Sequence, residues 1–262
     1  MHDVTIPKRI AKNCSQTTAG MAWLDQLPSA IIDLRQRWSL TLSEPFEDAS
    51  CSWVAPCVRQ DGTSAVLKLG MPHMEAESEI DGLIFWNGDP TVFVLESAVE
   101  LNAMLLEHCQ PGIPLRRRPE HEQDEVIAKL LRRLWRIPPK AHPFRHLSEM
   151  TASWSKESLE KADSWFDAGL IREGLRIFEE LSNNAPSEVL LATDLHAGNV
   201  LQAQREPWLV IDPKPFVGDP AYDATQHLLN CDTRLRSGPE EMIRHFGDLL
   251  AVGHERIHLW LF

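Results

Sequence analysis

The spacing of apolar positions changes along the chain, from short blocks and alternation in the amino-terminal part to helical repeats beyond it. The stretch SWVAPCVRQDGTSAVLKLG holds two apolar runs around Asp61 and Gly62. That dipeptide favours a tight hairpin, because glycine accepts positive φ. MEAESEIDGLIFWN predicts a helix with Ile80, Leu83, Ile84 and Trp86 on an inward stripe, weakened by Gly82. TVFVLES and NAMLLEHC predict two further strands. Upstream, residues 1–18 lack periodicity and read as a tail or a crossing segment. Pro28 and Ser29 then predict a helix start, with Ile31, Leu34, Arg35 and Trp38 sharing a face.

CQPGIPL, rich in proline and glycine, predicts a hinge. In EHEQDEVIAKLLRRLWRIP, Ile127, Leu130, Leu131 and Leu134 recur at helical spacing until Pro138 and Pro139 end the element. SEMTASWSKESLEKADSWFDAGLIREGLRIFEEL predicts one or two more helices. Between these and the last helices lie VLLATDLHAGNVL and PWLVIDPKPF, two short apolar runs that each end in an aspartate. The pattern predicts an α+β chain: a mostly antiparallel sheet with one helix over residues 1–108, then a mainly helical part over 109–262.

Composition narrows the partners. At 262 residues and 43% hydrophobic the chain is long enough for two cores. Its 26 Lys plus Arg stand against 38 Asp plus Glu, a net charge of −12. That balance argues against a nucleic-acid or anionic-membrane surface and favours a cationic small molecule. Five scattered cysteines without a CxxC pair read as reduced thiols. With no apolar leader and no run of membrane-spanning length, a cytoplasmic protein is expected. No feature encodes an oligomeric state.

The densest polar signal is Asp194, His196 and Asn199 in LLATDLHAGNVL, directly after a strand-like run. The spacing DxxxxN suits phosphoryl transfer, in which one loop holds a carboxylate near an acceptor hydroxyl and an amide oxygen on a metal. A hairpin turning at QREP would return Asp212 beside Asn199, where their oxygens can share magnesium. A donor triphosphate also needs a cation, and Lys68 in AVLKLG lies late in a strand. Its expected acidic partner is Glu79, chosen over Glu75 and Glu77 because it shares the face of Leu83 and Trp86. Taken singly these residues have plainer readings: a strand-end aspartate is commonly a turn residue and a strand-end lysine commonly snorkels. His196 can contact a phosphate or substrate, but bracing its own loop is the commoner role for such a histidine.

AVLKLG, EIDGLIFWNG, AMLLEHCQPGIPL, TDLHAGNVL, WLVIDPKPFVGDPAYD and RIHLWLF together resemble the aminoglycoside phosphotransferase superfamily, in its streptomycin 6-phosphotransferase and hydroxyurea phosphotransferase branch. The resemblance implies a protein-kinase-like two-lobed fold that uses ATP and Mg2+ to phosphorylate a hydroxyl of a small antibiotic, streptomycin at its 6-hydroxyl foremost. It implies Asp194 as catalytic base or hydroxyl-orienting residue, and Asn199 and Asp212 on magnesium. Lys68 would touch the α/β-phosphates and pair with Glu79, and backbone groups of Glu107 and Cys109 would bind adenine. Asp223 would brace the catalytic loop or face the substrate.

Two departures stand out. No GxGxxG covers the phosphates, and the corresponding turn, EDASCSW, offers small residues whose backbone amides would serve instead. ERIHLWLF stops within an apolar helical pattern, so a carboxy-terminal lobe short of its terminal helices is expected. Other readings are a kinase of an amino alcohol, nucleoside or sugar amine, and a nucleotide-binding pseudokinase without turnover. A metallohydrolase using Asp194, His196, Asp212 and His227 is a further one, although no HxH or HExxH cluster supports it.

Overall fold

A computed structural model describes residues 4–74 and 77–262. The chain forms two compact units, Met1–Gln110 and Pro111–Phe262. The rejected candidate Glu75 lies outside the described residues.

The first unit is built on a five-stranded antiparallel sheet of β1 (Thr41–Leu42), β2 (Ser52–Val58), β3 (Ser64–Gly70), β4 (Val94–Ala98) and β5 (Ala103–Glu107), in the order β1-β2-β3-β5-β4. The β2–β3 hairpin turns where expected, with Val58 opposite Ser64 and Gly62 at φ 84°. Period-two alternation sends Trp53, Ala55, Cys57, Ala65, Leu67 and Leu69 into one core, so Lys68 faces the other side of the sheet. That core is closed by α1 (Lys8–Cys14) and α2 (Thr18–Arg37) through Ile10, Cys14, Leu27, Ile31 and Leu34. A further helix of this unit, α3 (Glu79–Trp86), carries Glu79.

Two expectations are corrected in this unit. Within residues 1–18, read as a tail or a crossing segment, lies α1, which is seven residues long and buries Ile10 and Cys14; so short a helix shows no clear period. The next helix begins at Thr18, capped by Thr17, whose Oγ1 accepts from Gly20 N at 3.0 Å, and runs through Pro28. Proline costs the helix about 3 kcal/mol. The buried face Leu27, Ile31 and Leu34 outweighs that cost. A smaller correction concerns Ile84, which is 53% exposed and not part of the inward stripe of α3.

In the second unit α4 (Glu120–Leu134) presents its expected stripe to the core, with Ile127, Leu130, Leu131 and Leu134 buried. Two helices follow, α5 (Leu147–Glu160) and α6 (Ala168–Asn183). Four short strands come next: β6 (Val189–Leu191) pairs antiparallel with β9 (Phe216–Gly218), and β7 (Val200–Gln202) with β8 (Trp208–Val210). The chain ends in α7 (Pro220–Asn230), α8 (Asp232–Ser237), α9 (Pro239–Leu250) and α10 (His254–Leu261). Trp260 anchors α10, packing edge-on to Tyr222 at 5.1 Å and donating its indole N–H to buried Asp219 at 2.7 Å. No helix among the described residues is long and apolar enough to cross a membrane.

Candidate active site

In the first unit Lys68 and Glu79 meet. Lys68 Nζ donates to Glu79 Oε1 at 2.5 Å, and the two side chains are 6% and 3% exposed. Strand alternation turns Lys68 away from the α1/α2 core, and Glu79 is buried with Leu83 and Trp86 on the inner face of α3. Such a pair survives desolvation because each charge neutralises the other. Glu107 ends β5, where its N–H donates to Phe93 O at 2.9 Å and its carboxylate accepts from Phe93 N at 3.1 Å. Cys109 lies two residues on and is 5% exposed.

In the second unit the loop after β6 carries Asp194, His196 and Asn199, while Asp212 follows β8 and Asp223 lies on α7. Asp194 N donates to Ala192 O at 2.7 Å, and the Asp194 side chain is 42% exposed. Asn199 ends the loop and spends its amide N–H on Asp194 O at 3.0 Å, which leaves its side-chain oxygen as the acceptor. The β7–β8 hairpin brings the next segment back: Ile211 N donates to Asn199 O at 2.9 Å, and Asp212 follows directly. His196 Nδ1 accepts from Gly198 N at 3.0 Å, so the neutral ring carries its proton on Nε2, 4.0 Å from Asp194 Oδ1. Burial holds the His196 imidazole below its ordinary value, against the raising pull of Asp212 and helped by the positive charge of Arg116.

Two residues in these loops adopt left-handed backbone, Thr193 at φ 47° and Asp212 at φ 54°. For a β-branched residue that conformation is a true outlier, so something must hold it. Thr193 is held on both sides: its N–H donates to Asp223 Oδ1 at 2.7 Å and its Oγ1 to Lys214 O at 2.5 Å. Asp223, fully buried on α7, also accepts from Ala192 N at 3.0 Å and from Trp135 Nε1 at 2.9 Å. Burial outweighs these donors and pushes the Asp223 carboxyl up to about 6.

Three features escaped sequence reasoning. Lys214 ion-pairs with Asp212 and donates its backbone N–H to Ala192 O at 2.8 Å, tying the two loops together. A lysine two residues after the aspartate was the available signal. Asp219 caps α7 and accepts from Arg256 Nε at 2.5 Å. Asp124 accepts from His227 Nε2 at 2.7 Å and from both terminal nitrogens of Arg234, at 2.8 and 2.6 Å. Burial would raise the Asp124 carboxyl, but the hydrogen bonds from His227 and Arg234 win and hold it below its ordinary value. These partners lie too far apart in sequence for spacing to reveal them.

The donor set of the loops is oxygen: the Asn199 amide oxygen, the Asp212 carboxylate and the Asp194 carboxylate. Hard Mg2+ takes such ligands together with phosphate oxygens and water. Asp212 already attracts the Lys214 ammonium, so its position favours a cation. The grouping required by a metallohydrolase is not formed: no cluster of three His, Cys, Asp or Glu suited to a metal occurs among the described residues, and His227 is bonded to Asp124.

The chain is similar to known proteins in sequence and in fold. Residues 37–262 match the aminoglycoside/hydroxyurea antibiotic resistance kinase family. The chain is 35% identical over 230 residues to a streptomycin 6-kinase of Streptomyces glaucescens, covering 84% of this chain and 73% of that one. It is 36% identical over 219 residues to a hydroxyurea phosphotransferase of Kitasatospora aureofaciens, covering 81% of this chain and 64% of that one. Among solved structures, a choline kinase from Streptococcus pneumoniae superposes with a TM-score of 0.64 at 14% identity, covering 87% of this chain and 84% of that one. An aminoglycoside-3'-phosphotransferase of type VIII gives 0.56 at 19% identity, covering 89% of this chain and 96% of that one. The fold is the kinase-like one that these proteins share.

Proposed function

Because this chain belongs to the aminoglycoside/hydroxyurea antibiotic resistance kinase family, we propose that it transfers the γ-phosphoryl group of ATP to a hydroxyl of a cationic aminoglycoside. Streptomycin, at its 6-hydroxyl, is the acceptor this reading puts first. The observation that carries it is the likeness to streptomycin 6-kinases, 35% and 36% identical over 84% of this chain, a span that includes the Asp194–Asn199 loop region. A net charge of −12 suits a polycationic acceptor.

In this reading Asp194 orients the acceptor hydroxyl and takes its proton as the phosphoryl group moves, a role its exposed carboxylate can fill. Asn199 and Asp212 would hold Mg2+, which neutralises charge on the donor phosphates when bound. Lys68, fixed by Glu79, binds the α/β-phosphates, and the backbone of Glu107 and Cys109 binds adenine. The turn EDASCSW covers the phosphates with its amides. Asp223 keeps Ala192 and Thr193 in place behind Asp194. His196, neutral and bonded to Gly198, braces the loop. Positioning and charge stabilisation account for the rate, since phosphoryl transfer asks little covalent work of the protein.

The test is purified protein with Mg-ATP and a panel of streptomycin, other aminoglycosides, hydroxyurea, choline and ethanolamine, read by ADP release and by product mass. Streptomycin is expected to gain one phosphoryl group. Asp194→Asn should lower kcat by about a hundredfold or more, with the KM for ATP little changed. Phosphorylation of choline or ethanolamine but of no antibiotic would move the assignment to a metabolite kinase. No transfer to any acceptor would refute the reading.

A further inference from the structure

We infer that α1 is the positioning element for the phosphate-covering turn, with Arg9 and Asn13 setting the direction of its amides. The inference rests on the reading of residues 47–53 as that turn and adds what holds it in shape. A turn that grips phosphates through its backbone must aim N–H groups at them, and none of EDASCSW is glycine. Arg9 Nη1 donates to Asp48 O at 2.8 Å, and Asn13 Nδ2 donates to Ser50 O at 3.1 Å. Across a trans peptide a carbonyl and the following N–H point in opposite directions. Fastening the carbonyls of Asp48 and Ser50 to α1 therefore turns the N–H groups of Ala49 and Cys51 away from it. Among the described residues, neither amide donates within the chain.

The platform is rigid enough to act this way. Arg9 and Asn13 stand one helical turn apart on one face of α1, opposite the turn they bind. Ile10 and Cys14 seat the helix in the core, both 0% exposed. Gly20 lets α2 approach so closely that a Cβ there would lie 2.0 Å from Cys14 O. The turn is tied at its carboxy-terminal end as well: Met71 N donates to Cys51 O at 2.9 Å, and Trp53 Nε1 donates to Thr5 O at 2.9 Å. α1 lies outside the stretch matched to the family, residues 37–262, whereas the turn it binds lies inside it.

The full chain and its Arg9→Ala, Asn13→Asp and doubly substituted forms are compared by KM for ATP, KM for acceptor, and competitive affinity for AMP, which lacks the outer phosphates. Each single change should raise the KM for ATP about fivefold, the worth of one hydrogen bond, with AMP affinity and acceptor KM within about twofold. Arg9→Lys, which keeps a donor, should recover most of the loss. An unchanged ATP KM in the double variant would overturn the proposal. So would an AMP affinity that falls as far as that for ATP, since that marks general loss of structure. A parent chain that turns over ATP beside insensitive variants refutes only the role of α1; a parent that neither binds nor uses ATP refutes the kinase reading with it.

Discussion

Replacing Asp223 by asparagine keeps the shape of the side chain, removes its charge and sets a donor against the donors it now receives. In the parent chain the carboxyl is fully buried and accepts from Ala192 N, Thr193 N and Trp135 Nε1 at 3.0, 2.7 and 2.9 Å. Burial raises it to about 6 from 3.8. Below 3.8 it is protonated whether folded or not, and its stabilising contribution is complete. As pH rises towards 6 the unfolded chain releases the proton first, and by neutral pH about 3 kcal/mol of stability is lost. An amide in its place cannot titrate, so the stability of Asp223→Asn relative to the parent should climb by about 3 kcal/mol across the same range. Activity should move the other way. The asparagine NH2 must face one of three N–H donors, so Thr193 loses part of what holds its left-handed backbone, and kcat should fall about tenfold or more as the Asp194 loop shifts. Urea unfolding in steps from about pH 3 to about pH 7.5, with ADP release at neutral pH, reads both effects. A stability difference that does not vary with pH, or an unchanged kcat, would refute the account of Asp223 as the buried brace of this loop.

Three further outcomes follow from the same geometry. Lys68→Ala leaves the Glu79 carboxylate buried without its ammonium and should cost about 3–5 kcal/mol by thermal unfolding, while Lys68→Met with Glu79→Leu should recover stability but not activity. Gly20→Ala places a methyl 2.0 Å from Cys14 O and should destabilise the first unit by about 2 kcal/mol or more, with amide exchange rising first in α1. Arg256→Ala strips buried Asp219 of its cation and removes donors to Leu181 O and Asn184 O. It should cost about 3–5 kcal/mol, and a loss below about 1 kcal/mol in chemical unfolding would argue against Arg256 as the fastener of α10.

What the sequence determined by itself was whatever depends on near neighbours. Strand alternation around Asp61 and Gly62, the helical stripe of α4 and the placement of Lys68 late in a strand are set by local periodicity and turn chemistry. The pairing of Lys68 with Glu79 was legible for the same reason, since eleven residues separate them and strand and helix faces dictate the contact. Tertiary structure decided the rest. Pro28 reads locally as a helix start, yet a buried apolar face carries α2 through it, because burial of several side chains exceeds one lost hydrogen bond and ring strain. The seven residues of α1 are too few to form a helix alone and do so only against a core assembled from distant strands. Asp223 with Trp135, Asp124 with His227 and Arg234, and Asp219 with Arg256 join residues 88, 103, 110 and 37 positions apart. No periodicity spans such separations, because those contacts exist only once burial has removed the water that would otherwise satisfy each group.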